Sequence, residues 1–193
     1  MYVDLVGDAK LYAFLWECDR DLAAAARAGG CVVCGGRVDS ARYPRKPRGG
    51  PTDLGPAFDT RESFCCAKDG CRKRLTPPSL RFLGRKVYLG AVVVLVSAMR
   101  HGATPVRVAR LQALVGASPR TLARWRRWWR DVFATSRFWQ AAAGRFGTPV
   151  TRELLPLSLL ERFAGDVRDR LVAALHFLGP ITTGSGRRSE RRA

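Results

Sequence analysis

One stretch of this chain, Ser118–Phe133, limits its possible folds more than any other. Ser118 can accept a hydrogen bond from the free backbone N–H groups at the start of a helix. Pro119 suits the first helical position, where its missing N–H costs nothing. Apolar side chains then recur at the helical period, namely Leu122, Trp125, Trp129 and Val132 or Phe133. The stretch therefore predicts a capped helix with one face buried in protein.

A second face of this helix is basic. It carries Arg120, Arg124 and Arg127, with Arg126 and Arg130 beside them. The planar guanidinium group suits phosphate oxygens and the O6/N7 edge of guanine, which makes nucleic acid a candidate partner. The alternative is an ordinary amphipathic helix whose charged face is solvated.

The residues before Ser118 predict another helix and a tight turn. Thr104 and Pro105 form a cap and a first helical position, and Gly116 can adopt the left-handed conformation that ends a helix sharply. Two capped helices joined by a glycine turn predict a helix-turn-helix, whose second helix enters the major groove. The positions expected to be buried around the turn are Leu111, Val115, Ala117, Leu122 and Trp125.

This arrangement assigns roles along the second helix. Residues near its N-terminus would reach base edges, and the candidates are Arg120, Thr121 and Arg124. Residues further along would meet the phosphate backbone, and the candidates are Arg127 and Arg130.

Four of the six cysteines have spacings typical of metal ligands. Two residues separate Cys31 from Cys34, and four separate Cys66 from Cys71, which gives a four-sulfur set within accepted zinc spacings. Cys65 would lie on the opposite side of an extended strand from Cys66. We interpret Cys65 as a packing residue, although an exchange of the two remains open.

Two alternatives to zinc are a redox Cys-x-x-Cys motif and a rubredoxin-like iron site. Nothing upstream of Cys31 indicates the strand-and-helix context of the redox motif. The ligands alone do not distinguish iron from zinc, but the basic surroundings argue against electron transfer. We therefore predict bound zinc.

The charge of the chain favours a polyanionic partner. The formal net charge is +18 and the pI is about 11.0. Between Cys71 and Gly147 the basic residues run from Arg72 to Arg145 and include Arg81, while Asp131 is the only acid. Solvated surfaces usually mix charges of both signs, so this region favours nucleic acid.

The ends and apolar runs of the sequence bear on its compartment. Asp4 and Asp8 precede any apolar run, so we expect no signal peptide. The apolar segment Val87–Met99 is shorter than the about 20 residues that span a bilayer. We expect a cytoplasmic, nucleoid-associated protein without membrane contact, whose cysteines bind metal rather than form disulfides.

Three further helices and a tail are expected. Asp8–Ala28 and Pro156–Leu178 have apolar residues at helical spacing. Val87–Arg100 is also expected to be a helix, although its Val92–Val94 run would fit a buried strand. Thr182–Ala193 has no apolar residue except the terminal alanine, so we expect it to be disordered.

These elements predict a mainly α fold with a small four-cysteine zinc ribbon of short β-strands and a helix-turn-helix core. The expected order is an N-terminal helix (1–29), the zinc ribbon (30–80), the helix-turn-helix unit (81–147), a C-terminal helix (148–181) and a disordered basic tail (182–193).

A basic loop rich in proline and glycine, Arg42–Pro51, lies between the two halves of the predicted ribbon. It could insert into a minor groove or lie along phosphates. The alternative is a solvated linker in a long insertion of the ribbon.

The combination of these motifs resembles two related groups of proteins. A four-cysteine zinc ribbon followed by a helix-turn-helix is similar to the front of several insertion-sequence transposases, and to small zinc-finger/helix-turn-helix proteins encoded beside transposases. The resemblance covers Gly30–Phe133. It is carried by Cys31, Cys34, Cys66, Cys71, the run Cys71–Arg74 and the segment Leu114–Trp125. It implies binding to transposon ends or to a promoter.

Three features depart from these families. Gln112 replaces a small residue in the first helix of the motif, the middle of the ribbon is unusually long, and no catalytic domain follows. Strand transfer needs three carboxylates that hold two metal ions. The acids after Asp131 are Glu153, Glu161, Asp166, Asp169 and Glu190, and nearly all lie on or beside one predicted helix. We therefore expect no enzymatic activity in this chain.

The sequence thus predicts a zinc-dependent protein that binds double-stranded DNA as a transcriptional regulator or accessory factor of a mobile element. It would act as a homodimer or together with a transposase. The alternatives are a truncated transposase fragment, an RNA-binding or ribosome-associated zinc-ribbon protein, and a protein–protein module that uses the terminal helices.

Overall fold

The computed structural model describes residues 4–51, 54–83, 88–98 and 104–183, and it is mainly helical with two small antiparallel sheets. The helices are α1 (Ala9–Ala28), α2 (Gly90–Ser97), α3 (Pro105–Val115), α4 (Pro119–Arg127), α5 (Arg137–Ala142), α6 (Leu157–Leu160) and α7 (Val167–Phe177), and a π-helical segment (Trp128–Phe133) continues α4. The strands are β1 (Val38–Ser40), β2 (Tyr43–Pro44), β3 (Thr60–Arg61), β4 (Phe64–Cys66) and β5 (Arg74–Leu75).

The first helix, α1, matches the predicted segment. Asp8 caps it by accepting a hydrogen bond from the Lys10 N–H at 2.9 Å. Leu11 and Leu15 pack into the main core, whereas Ala23 belongs to a second, smaller cluster around the cysteines. Helix α1 therefore contributes to both the main core and the cluster around the cysteines.

The helix α2 lies at the centre of the main core. All of its residues are buried, because it packs against the turn before α1, against α4 and against α7. The valine run is thus helical rather than a strand. The helix is shorter than the expected Val87–Arg100, whose first residue and last two residues lie outside the described part.

The pair α3 and α4 has the caps that the sequence predicts. The hydroxyl groups of Thr104 and Ser118 accept hydrogen bonds from the N–H groups three residues later, at 3.3 Å each. Gly116 joins the helices with a φ of 65°, in the left-handed region where a side chain would be strained. The residues predicted to surround the turn are all buried, namely Leu111, Val115, Ala117, Leu122 and Trp125.

The segment that continues α4 is wound more widely than an α-helix. From Trp128 to Phe133 the backbone is π-helical, and the Ala134 N–H donates to the Trp129 carbonyl. Two consecutive indoles are accommodated here, with Trp129 fully buried and the ring of Trp128 edge-on to it at 4.8 Å. Phe133 is buried and Val132 is exposed, so Phe133 completes the apolar stripe.

The segment expected to form one C-terminal helix contains two, α6 and α7. Gly165 has a φ of +92°, and Asp166 begins α7 with a capping box in which it exchanges hydrogen bonds with Asp169. This local start signal overrides the continuous apolar spacing.

Thr182, the first residue of the expected disordered tail, belongs to the folded structure. This residue is buried in a short 3-10 turn, Gly179–Thr182, and its hydroxyl accepts a hydrogen bond from the Ser79 N–H at 2.9 Å. Residues 184–193 lie outside the described part of the chain.

Candidate metal centre and the arginine face of α4

The cysteine module consists of residues 30–40 and 64–75. Its sheet has the strand order β1-β4-β5, and all pairs are antiparallel. Cys66 lies opposite Val38 in this sheet, while Cys65 lies opposite Asp39. Because side chains alternate along a strand, the two neighbouring cysteines face opposite sides.

The first loop of the module turns tightly around its two cysteines. The Cys31 N–H donates to the Gly36 carbonyl, and the Gly35 N–H donates to the Cys31 carbonyl, each at 2.8 Å. Gly30 has a φ of +69°, and a Cβ atom there would lie 2.9 Å from the Gly35 carbonyl oxygen. The glycine is therefore needed for the close approach of the two backbone segments.

The second loop, between β4 and β5, presents the other two cysteines. The Lys68 N–H donates to Cys66 Sγ at 3.4 Å, and the Cys71 N–H donates to the Lys68 carbonyl at 3.2 Å. Backbone donors that point at sulfur are typical of thiolate ligands, since they stabilise its negative charge.

The structure brings together the four cysteines selected from the sequence. The Sγ atoms of Cys31, Cys34, Cys66 and Cys71 all lie within 4.8 Å of one another. The Cys31–Cys71 distance is 3.7 Å and the Cys34–Cys66 distance is 3.5 Å. A tetrahedral site with metal–sulfur bonds of about 2.3 Å has sulfur–sulfur edges of about 3.8 Å. The four thiols therefore fit one metal ion.

The acidities of the thiols differ within this cluster. Hydrogen bonds from the backbone N–H groups of Val33 and Cys34 lower the pKa of Cys31 to about 6. The Lys68 N–H also favours the thiolate of Cys66, but burial and the neighbouring thiols outweigh it and raise the pKa of Cys66 to about 12. Four thiolates this close repel one another, so full ionisation requires a cation between them.

The remaining two cysteines stand apart from the cluster. Cys65 Sγ donates to the Arg72 carbonyl at 3.5 Å, on the other side of β4. Cys18 is half-buried on α1, where it packs against the main core, and burial raises its pKa. Cys65 therefore lies outside the metal cluster, as the sequence predicts.

The arginines of α4 and its π-helical extension are available to a partner. Arg120, Arg124, Arg127 and Arg130 are exposed. Across the described ranges, no acidic side chain lies within ion-pair distance of any of these four. Asp131, the acid nearest in sequence, lies 3.9 Å from Arg152 instead.

Thr121 differs from the other selected residues of α4. It is half-buried, and its hydroxyl lies 3.1 Å from the Ser118 hydroxyl, beside the cap of the helix. The structure therefore places Thr121 in the cap network, with less exposure than its arginine neighbours.

One basic residue counted toward the charged surface is buried. Arg81 and Asp19 are each about 1% exposed, and Arg81 Nε donates to Asp19 Oδ2 at 2.8 Å. The rest of the guanidinium group donates to the carbonyls of Phe58 and Thr60. Asp19 accepts further hydrogen bonds from the Ser79 hydroxyl and the Leu80 N–H. Both charges are therefore satisfied inside the protein.

This buried pair connects segments that are distant in sequence. Asp19 belongs to α1, the carbonyl acceptors precede and begin β3, and Arg81 follows the cysteine module. Sequence reasoning missed the pair. The sequence did contain one signal for it. Asp19 stands on the same face of α1 as Leu11, Tyr12 and Leu15, and a carboxylate on a buried face needs a partner.

A second arginine, Arg61, is also buried. It donates to the carbonyls of Pro77 and Pro78, and burial lowers its pKa. Arg61 on β3 and Asp19 on α1 thus hold residues 77–81, the segment that follows the cysteine module.

The chain matches no protein-family model, no curated protein and no solved structure. Among the helices of the described residues, none has both the length and the apolar content to cross a membrane. The case for a function therefore rests on the chain's own residues.

Proposed function

We propose that this protein binds double-stranded DNA with α4 and carries a structural zinc ion in the cysteine module. The observation that carries the proposal is the form of the α3–α4 pair. Two capped helices meet at a left-handed glycine, and one face of α4 is buried. Its exposed face carries arginines that form no ion pair with an acid of the described part of the chain.

In this proposal α3 and α4 act as a helix-turn-helix, with α4 in the major groove. Arg120, Thr121 and Arg124 lie in its first turns and are the candidates for contacts with base edges. Thr121 would have to contact a base from its position beside the Ser118 hydroxyl at the cap of α4. Arg127 and Arg130 lie further along and would neutralise phosphates.

Zinc is the proposed metal because four thiolates in a tetrahedral arrangement are a common structural zinc site. Cys31, Cys34, Cys66 and Cys71 would hold it and leave no open coordination position. The ion would supply charge neutralisation and a cross-link between the two loops. No catalytic step is proposed for it, and we propose that the chain is not an enzyme.

The biological setting is proposed from the resemblance to proteins of insertion sequences. A regulator or accessory factor of a mobile element would bind transposon ends or a promoter, as a homodimer or with a transposase. Such a protein would work in the cytoplasm, associated with the nucleoid.

The test is a binding titration of the zinc-loaded full chain across a series of salt concentrations. We expect affinity for a long random-sequence duplex to fall steeply with salt, with a slope of about −0.9 per neutralised phosphate. A structured RNA hairpin of equal charge serves as the matched probe. Tighter binding to the hairpin would favour the RNA-binding alternative, and a flat salt response would contradict both nucleic-acid functions.

A further inference from the structure

The loop Arg45–Pro51 lies in the middle of the long insertion between the halves of the cysteine module, and its backbone is fixed at Arg45 and at Arg48. The Arg45 N–H donates to the Asp59 carbonyl at 2.7 Å. The Leu89 N–H donates to the Arg48 carbonyl at 3.2 Å, and Arg48 forms a parallel β-bridge with Tyr88. The loop therefore has the hydrogen bonds of an ordered element, unlike a solvated linker.

The two glycines of the loop allow it to lie directly on the core. Gly49 has a φ of +86°, and a Cβ atom there would lie 2.9 Å from a methyl group of Val92. A Cβ atom on Gly50 would lie 2.6 Å from a methyl group of Leu89. Gly49 lies in the left-handed region, where a side chain would be strained, and a side chain at Gly50 would have to displace the end of Leu89. The two glycines therefore favour the packing of this loop on the start of α2.

Tyr88 connects the loop to the α3–α4 turn. Its hydroxyl donates to the Gly116 carbonyl at 3.1 Å, and its ring lies edge-on to Trp125 with centroids 4.8 Å apart. Residues 47–51 also share a cleft of about 670 Å³ with Val115 and Gly116. The loop is thus held beside the turn that precedes α4.

Two cations of this region remain available to a partner. Arg42 pairs with Glu62 at 3.2 Å, and the guanidinium group of Arg45 lies over the ring of Phe82. Lys46 and Arg48 are exposed, and no acid within residues 4–51, 54–83, 88–98 and 104–183 pairs with either.

Asp59 also lines the cleft beside the loop. Its carboxylate makes no ion pair with Lys46 or Arg48 in the described residues.

We propose that Lys46 and Arg48 form a second duplex-contacting element, which binds phosphates flanking the segment that α4 reads. This inference rests on the proposed function, since it assumes that α4 lies in the major groove. The turn before such a helix lies close to the phosphate backbone, and a basic loop fixed beside that turn meets the same duplex. Because the loop is already ordered, binding does not lose the entropy of ordering it.

The test compares the double variant Lys46→Ala/Arg48→Ala with the wild type on two duplexes. One duplex carries the sequence selected by the protein from a random pool together with its flanks, and the other is trimmed to the selected sequence alone. We expect the variant to bind the flanked duplex several-fold more weakly, with a salt slope smaller by about 0.9 for each lost contact. The trimmed duplex should bind wild type and variant alike.

The matched control is Arg20→Ala/Arg27→Ala, which removes the same charge from exposed positions of α1. Melting temperature and zinc content verify that each variant is folded. An equal loss of affinity in this control would overturn the inference, because net charge alone would then explain the effect.

The outcomes separate the two proposals. If Lys46→Ala/Arg48→Ala keeps wild-type affinity and slope on both duplexes while Arg124→Ala weakens them, the loop inference is wrong and the proposed function stands. If the wild type shows no salt-dependent binding to either duplex, the proposed function fails and the inference fails with it.

Discussion

The cysteine module and the helical body are stabilised in different ways. The buried apolar cluster of the module is small and consists of Ala23, Cys31, Val38, Phe64 and Cys66. The helical body has a continuous core that extends from Val6 to Leu178 and draws on α1, α2, α4 and α7. A module that buries so little apolar surface requires another source of free energy, and its clustered thiols indicate a metal.

The two regions are expected to tolerate different mutations. In the helical body, stability is spread over many buried side chains, so loss of one lowers stability by a limited amount. In the module, much of the stability would come from a single ion and four sulfur atoms.

The largest effect is expected from loss of the metal. A structural zinc site contributes about 10–16 kcal/mol in small zinc-binding peptides, so a strong chelator should unfold the cysteine module. We expect hydrogen exchange to lose its protection in residues 30–40 and 64–75 while α2 and α7 keep theirs. Unchanged protection in the module after chelation would show that its stability does not depend on a metal ion.

The two neighbouring cysteines provide matched variants for the same prediction. Cys66→Ser should lose the metal, because Cys66 Sγ lies within the four-sulfur cluster. Cys65→Ser should keep it, because Cys65 faces the other side of β4. Metal analysis of the purified variants measures this directly, and the reverse result would assign the ligand role to Cys65.

A smaller effect is expected at the buried ion pair of Asp19 and Arg81, which lies outside the cysteine module. Asp19→Ala leaves Arg81 buried without its carboxylate, and breaking such a pair lowers the free energy of unfolding by about 3–5 kcal/mol. Denaturant unfolding measures the change. Asp21→Ala, at an exposed position of the same helix, is the control and should change stability by less than about 0.5 kcal/mol. Equal effects at the two positions would mean that the pair does not stabilise the fold.

The local signals of the sequence predicted much of this structure. Thr104 and Ser118 were predicted as caps from the residue and its neighbours, and both begin helices. Asp8 was predicted only as the first residue of a helical segment, and it caps α1. The spacing of the four cysteines also predicted their clustering, since ligands of one metal must converge. Whether the α3–α4 pair acts as a helix-turn-helix remains a prediction.

Two of the features that sequence reasoning missed depend on contacts between distant segments, and one had a local signal. The partners Asp19 and Arg81 are 62 residues apart, and no periodicity relates them. The break before α7 had a local signal in Gly165 and Asp166, but the apolar spacing on both sides of it suggested one continuous helix. The packing of Gly49 on Val92 likewise depends on the tertiary arrangement.

The most direct test of the account is the affinity of two α4 variants for the selected duplex and for a scrambled duplex of the same length. We expect Arg124→Ala to lose about 1–3 kcal/mol on the selected duplex and to discriminate less between the two, because it removes a contact with a base. We expect Arg130→Ala to weaken both duplexes alike and to reduce the salt slope by about 1, because it removes a phosphate contact. If both variants keep their fold, their metal and their affinity for both duplexes, α4 does not read DNA.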